Sequence, residues 1–196
     1  NIGMWTLAAA AANHQKCTLE PSRENYERIC ETVNRNQFHD RIRLMTIAAT
    51  SVPATFTLNV PRGNKGGTSV VAVEKSTTGT DTDSNGGITT IQGFPIDSLH
   101  LPLDRPVVMK VDVEGHELEA LMGALEFLKS ANMVHVAMEL RPMTACSSED
   151  QQKWKRVFDV LTSNDGLAPY RVDGNYDLFP LDPNALSQWR HKKHPK

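Results

Sequence analysis

Hydrophobic residues in this chain follow two patterns, one with the period of a helix and one of short, nearly continuous apolar runs. Tyr26, Ile29, Cys30 and Val33 stand at i, i+3, i+4 and i+7, the spacing of a single buried helical face. That helix is predicted to start at Pro21-Ser22, with Ser22 as its cap, and to run to about Asn34. Leu118, Leu121, Met122, Leu125 and Leu128 make a second helical face. A third helix, Glu149 to Thr162, carries Trp154, Val157, Phe158 and Leu161, and the alanine-rich opening from Ile2 to Ala12 reads as a fourth. Between them lie strand-like runs at Lys16–Glu20, Arg41–Ala49, Val107–Val111 and Val134–Leu140. Strands buried on both faces of a parallel sheet read this way. Near the end, Tyr170–Val172 and Tyr176–Phe179 flank Asp173-Gly174-Asn175, a hairpin signal. Strands alternating with helices and ending in a hairpin predict a mostly parallel sheet with the antiparallel hairpin at an edge.

From Thr50 to about Leu99 the pattern changes. Short strands are predicted at Thr55–Val60, Ser69–Val73 and Gly87–Gln92, separated by Gly/Asn/Ser/Thr/Asp-rich loops that include Ser76–Gly87. So long an irregular stretch inside a compact domain is usually functional or disordered. Within it, Arg62-Gly63-Asn64-Lys65-Gly66-Gly67-Thr68-Ser69 has a superficial likeness to a phosphate loop, but no lysine follows its second glycine at the required place. Triphosphate binding is therefore rejected.

Length and charge narrow the choices. At 196 residues the chain reads as one domain, residues 1–196, long enough to bury a real core. A net charge of −2 gives no electrostatic footprint for nucleic acid. The basic end, Arg190 to Lys196, reads as a solvated terminus. Three scattered cysteines (Cys17, Cys30 and Cys146) read as reduced thiols, the pattern of an intracellular, cytoplasmic protein, rather than a disulfide framework or zinc site. No apolar run approaches the ~20 residues of a membrane span. Leu7 to Ala12 lacks the preceding basic region of a signal peptide.

Candidate chemistry gathers where strands end, because open α/β sheets bind ligands beyond the carboxyl ends of their strands. Glu20, after the first run, suits the two hydroxyls of a ribose, in a nicotinamide cofactor or another nucleoside. It equally suits the positive end of the helix that follows. Asp112 and Glu114 end the Val107 run. If the strand continued through them, both would point to one side. Either can orient a ligand or act as general base. Lys110, inside an apolar run, calls for a carboxylate partner. His116, at a helix N-terminus, is expected to have a depressed pKa and to serve as a neutral base, or else to be an exposed histidine without a task. Glu117 is read as capping and charging the first helical turn. Glu139 ends the next strand on the same sheet edge as Asp112, placed either for a substrate contact or as a plain surface acid. Two carboxylates and His116 offer no further nameable metal ligands, so no metal is expected.

The segment Lys110-Val111-Asp112-Val113-Glu114-Gly115-His116-Glu117, followed by Leu121-Met122-Gly123-Ala124, resembles the signature of the FkbM-type methyltransferases. Asn1-Ile2-Gly3 resembles the tail of that family's Asp-x-Gly-Ala-Asn-x-Gly loop, and Leu19-Glu20-Pro21 its second-strand ending. The resemblance implies a three-layer, Rossmann-like α/β sandwich of the S-adenosylmethionine methyltransferase type, whose first strand and loop start are missing here. It implies S-adenosylmethionine as cofactor, held at Asn1, Ile2, Gly3, Glu20, Pro21 and Asp112. Asp112, Glu114 and His116 then become catalytic candidates, and Lys110 and Glu139 substrate contacts. The 50–99 excursion would cover the cofactor cleft and shape the pocket for a small-molecule or glycan acceptor, methylated at a hydroxyl. The rival readings are a nicotinamide oxidoreductase and a non-catalytic fragment. These 196 residues are expected to fold poorly alone and to continue upstream.

Overall fold

The structure, a computed structural model, describes residues 3–59, 68–72, 89–139, 147–163, 167–172 and 175–181. The chain forms two compact units, Asn1–Pro95 and Ile96–Lys196.

The first unit opens with α1 (Met4–Ala11), β1 (Lys16–Leu19), α2 (Arg23–Asn36) and β2 (Ile42–Met45). β1 and β2 pair in parallel, from Lys16 opposite Ile42 to Leu19 opposite Met45, with α2 as the crossover that parallel neighbours require. Ser22 caps α2 as predicted, its hydroxyl accepting the Asn25 N–H, and the helix buries Ile29 and Val33. The single strand predicted over Arg41–Ala49 is two, because β2 stops at Met45 and β3 (Ala48–Ala49) joins a different sheet. Its partner explains the break. The Glu20 N–H bonds the Met45 carbonyl at 3.0 Å, and the next donor on that side, the Ser22 N–H, goes to the Glu20 carboxylate at 2.9 Å instead of continuing the ladder.

β4 (Ala54–Asn59), β5 (Ser69–Ala72) and β6 (Thr90–Phe94) complete a four-stranded sheet in the order β3-β6-β4-β5. The β-rich character of the excursion is as predicted, but its last strand lies about three residues later and runs through Gly93. A Cβ there would meet Phe56 Cε2 at 2.5 Å and Thr50 Cγ2 at 2.9 Å. Glycine at this point lets β6 close over the buried Phe56 ring instead of breaking the strand.

The second unit begins with a 3-10 turn (Ile96–Leu99), followed by β7 (Val107–Val111), α3 (Glu117–Met122), α4 (Leu125–Ser130), β8 (Met133–Met138) and α5 (Ser148–Ser163). β7 and β8 pair in parallel, with Val111 opposite Met138. α5 packs on α3 and α4 and buries Trp154, Val157, Phe158 and Leu161, with the two rings stacked 5.4 Å apart. The helix predicted through Leu118–Leu128 is instead the pair α3 and α4. Asp97 divides them: its N–H takes the Gly123 carbonyl at 2.9 Å, and its carboxylate takes the N–H groups of Glu126 and Phe127 at 3.2 and 2.8 Å.

β9 (Tyr170–Val172) and β10 (Leu178–Pro180) form the predicted hairpin, with Arg171 lying over the Phe179 ring at 5.0 Å. Asp173 and Gly174, Leu140 and the basic end lie outside the described residues. The architecture is mixed α/β: three parallel pairings (β1–β2, β3–β6, β7–β8), antiparallel pairing elsewhere, and four separate sheets among the described residues. The hairpin pairs with no other strand among them.

Candidate functional site

Glu20 stands one residue beyond the carboxyl end of β1 and is half-buried. Its Oε1 accepts the Ser22 N–H at 2.9 Å. Pro21 has no N–H, so Ser22 offers the first free donor past the strand. Burial pushes the Glu20 carboxyl up from its ordinary value, and the bond from Ser22 opposes that push. The helix-capping alternative for Glu20 is therefore present in the structure. It engages one oxygen through the backbone.

Gly3 precedes α1 with φ 82°, and a Cβ there would fall 2.6 Å from Ile29 Cγ1, so both conformation and space demand glycine. The Thr6 and Thr18 hydroxyls, 2.9 Å apart, tie the first turn of α1 to the end of β1 that leads into Glu20. Asn1 and Ile2 lie outside the described residues.

In the second unit, Lys110 and Asp112 form the ion pair that the apolar run called for, Nζ to Oδ2 at 2.7 Å. β7 ends at Val111, however, so strand alternation does not carry through to Glu114. The chain turns instead, with Glu114 at φ 52° and Gly115 at φ 96°. A non-glycine residue there is uncommon and needs surrounding structure to hold it. That structure is Glu117. Its buried carboxylate reaches back, and its Oε1 accepts the Gly115 N–H at 2.9 Å and the Val113 N–H at 3.4 Å. The residue assigned to charging the helix start holds the preceding turn.

His116 is half-buried rather than exposed. Its imidazole is lowered from the ordinary value of 6.5, as expected, but burial is the leading cause, with Glu119 and Glu117 opposing it. Glu139 follows β8, and its N–H bonds the Val111 carbonyl at 3.2 Å. It thus stands beside Asp112 at the carboxyl ends of a parallel pair, with an exposed side chain.

Lys110, Asp112, Glu114 and His116 therefore share one strand end and turn, with Glu139 next in register. Gly3, Glu20 and Pro21 belong to the first unit. Asp97 and Glu117 carry structural tasks at these sites that their sequence context did not disclose. Glu117 alone gave a signal, as an acid three residues past a turn glutamate. Among the described residues no group of three or more His, Cys, Asp or Glu side chains could hold a metal ion, and no helix is long and apolar enough to cross a membrane.

Residues 1–161 match the family model described as the methyltransferase FkbM domain. Among curated proteins, the chain is similar to the hexuronic acid methyltransferase AglP of Haloferax volcanii, 29% identical over 136 residues. That alignment covers 67% of this chain and 52% of the relative, so the chain spans about half the relative's length. No solved structure matches.

Proposed function

The chain belongs to the FkbM methyltransferase family, and from that premise we propose that it transfers a methyl group from S-adenosylmethionine to a hydroxyl of a small molecule or sugar, with uronic acids the first class to test. The observation that carries this reading is the family match over residues 1–161. The uronic-acid class comes from the name of the relative. The fold proposed with it is the three-layer Rossmann-like sandwich.

The residues fit the cofactor's chemistry. Glu20, half-buried past a parallel strand and steadied by the Ser22 N–H, has the character of an acceptor for a vicinal diol. Gly3 lets the chain enter α1 through a left-handed turn packed directly on Ile29. S-adenosylmethionine brings an electrophilic methyl group that needs no further activation. The chain's own work is then to align, exclude water and take up a proton. Alignment in ideal intramolecular cases contributes up to ~7–11 kcal/mol, and a general base on the order of 10²–10⁴-fold.

His116 is proposed to accept the hydroxyl proton on its imidazole, which burial keeps neutral at physiological pH. Asp112, charge-paired to Lys110, orients the bound groups, and Glu114 and Glu139 border the acceptor.

The test is calorimetric titration of S-adenosylmethionine and NADH into the full-length protein, followed by methyl-labelled turnover with free and glycan-linked uronic acids. Binding of S-adenosylmethionine with label found on an acceptor oxygen is expected. Binding of NADH alone would favour an oxidoreductase, and binding of neither by a folded protein would sink both catalytic readings.

A further inference from the structure

Glu117, the first residue of α3, carries a carboxylate that is only 6% exposed. Burying a carboxylate is costly unless donors meet it. The donors that meet this one do not belong to the helix. Its Oε1 accepts the Gly115 N–H at 2.9 Å and the Val113 N–H at 3.4 Å, and both residues precede α3. A capping glutamate would stand at the third helical position, where Glu119 lies, and would bond the N–H of the cap residue. The Glu117 carboxylate is spent on the turn before the helix.

That turn is tight and strained. The His116 N–H bonds the Val113 carbonyl at 3.3 Å, and the central residues Glu114 and Gly115 have φ 52° and 96°. Positive φ at both central positions is the mark of a mirror-image turn, where glycine, asparagine and aspartate dominate. Glutamate pays for its Cβ in that conformation. A chain that needed only to leave β7 and enter α3 could place glycine at 114 and leave 117 to solvent. Both costs instead fall together at the carboxyl end of β7, directly after Asp112, whose Oδ2 receives Lys110 Nζ at 2.7 Å. Asp112 is thus fixed from two directions, its side chain by Lys110 and the backbone that follows it by Glu117. Strain over-determined by its surroundings concentrates where one conformation has to be kept for a ligand.

We propose that Glu117 is a positioning residue for cofactor binding, which pins the Val113–His116 turn and so sets the direction in which β7 presents Asp112 to S-adenosylmethionine. This rests on the reading of Asp112 as a cofactor contact in a methyltransferase. Glu117 acts through the turn and is not itself placed against the ligand.

The experiment is a double-mutant cycle on the full-length protein: wild type, Glu117→Ala, Asp112→Ala and the double variant, with Glu117→Gln beside them. Each is titrated with S-adenosylmethionine under conditions where its melt shows it fully folded. Glu117→Ala is expected to bind about tenfold more weakly, a change of about 1.4 kcal/mol. Glu117→Gln keeps an acceptor for the two N–H groups and should stay within about twofold of wild type. In the Asp112→Ala background, Glu117→Ala should leave affinity as it was, since nothing remains to be positioned.

Unchanged affinity in folded Glu117→Ala would overturn the inference, as would additive losses in the cycle; both mark a merely structural side chain. Glu117→Gln binding as weakly as Glu117→Ala would also overturn it, by placing the effect on charge rather than on the turn. If Glu117→Ala does not fold, Glu117→Asp, one methylene too short, takes its place under the same criteria. Wild-type affinity in Asp112→Ala would defeat the inference and leave the methyltransferase reading standing. A folded wild type that does not bind S-adenosylmethionine would defeat both.

Discussion

Replacing Asp97 tests why the helix after β7 is cut in two. In an unbroken helix the Phe127 N–H would bond the Gly123 carbonyl. Here Asp97 takes both ends of that missing bond, its N–H on Gly123 and its carboxylate on Phe127, and it accepts the Glu126 N–H as well. Asp97→Ala keeps the backbone bond and deletes both acceptor contacts. Losing a capping acceptor costs about 0.5–2 kcal/mol. Losing the negative charge beside the first turn of α4 adds roughly 0.3–1 kcal/mol. The Glu126 contact is exposed and the Phe127 contact part-buried, so the middle of the summed range applies, about 1–2 kcal/mol. At about 2–4 °C per kcal/mol for a chain of this size, the melting temperature should fall by roughly 2–8 °C. Asp97→Asn retains one acceptor oxygen and should lose about half as much. Thermal melts give the stability, and hydrogen exchange at the Phe127 amide reports the bond itself. An Asp97→Ala protein that melts within a degree of wild type, with Phe127 exchange unchanged, would mean that Gly123 alone breaks the helix and that the capping argument is wrong.

Three further outcomes follow from the same geometry. Glu117→Ala should lose about 1–3 kcal/mol through the freed Val113 and Gly115 N–H groups, and Glu117→Gln, which keeps an acceptor, much less; urea titration separates them. Gly3→Ala should lose at least about 1–2 kcal/mol from its left-handed φ, before the overlap with Ile29 is counted, and an unchanged melt would contradict that strain. The pH dependence of stability should have two opposed slopes. His116 is lowered by burial, so the unfolded chain binds more protons than the folded one between the two values; stability is full above 6.5 and declines as pH falls below it. Glu20 is raised, so the folded chain holds the extra proton, and stability declines as pH climbs from 4.5 through the folded value. His116→Gln should remove the first slope and Glu20→Gln the second, and a profile unaltered by either change would show that burial does not control these groups.

Local patterns were legible where local forces decide. Ser22 caps α2, and Trp154, Val157, Phe158 and Leu161 are the buried face of α5, because both follow from helical spacing and a side-chain oxygen at one position. The Lys110–Asp112 pair was legible for a similar reason: a charge in an apolar strand needs a neighbour of opposite sign within reach. The misses all involve a partner distant in sequence or a turn without a glycine signal at the decisive residue. Asp97 acts on groups 26 to 30 residues away, so the run Leu118–Leu128 gave no hint of its break. β2 ends early because Ser22, in another strand's exit, gives its N–H to the Glu20 carboxylate and not to the ladder. Glu114 takes the left-handed turn that the alternation reading assigned to an extended strand, and Glu117 makes this tolerable from the far side of the turn.

Structural and catalytic readings of an acid at a strand end are usually weighed as alternatives, and here they are coupled. A half-buried carboxylate is costly unless donors surround it. Glu20 has the Ser22 N–H, and Asp112 has Lys110. These partners offset the burial, and they also fix the direction of the remaining lone pairs. A freely rotating surface acid would cost less to keep but would pay rotamer entropy each time it bound a ligand. The capping bond on Glu20 therefore does not argue against ligand binding. It is part of what would make the carboxylate an oriented acceptor.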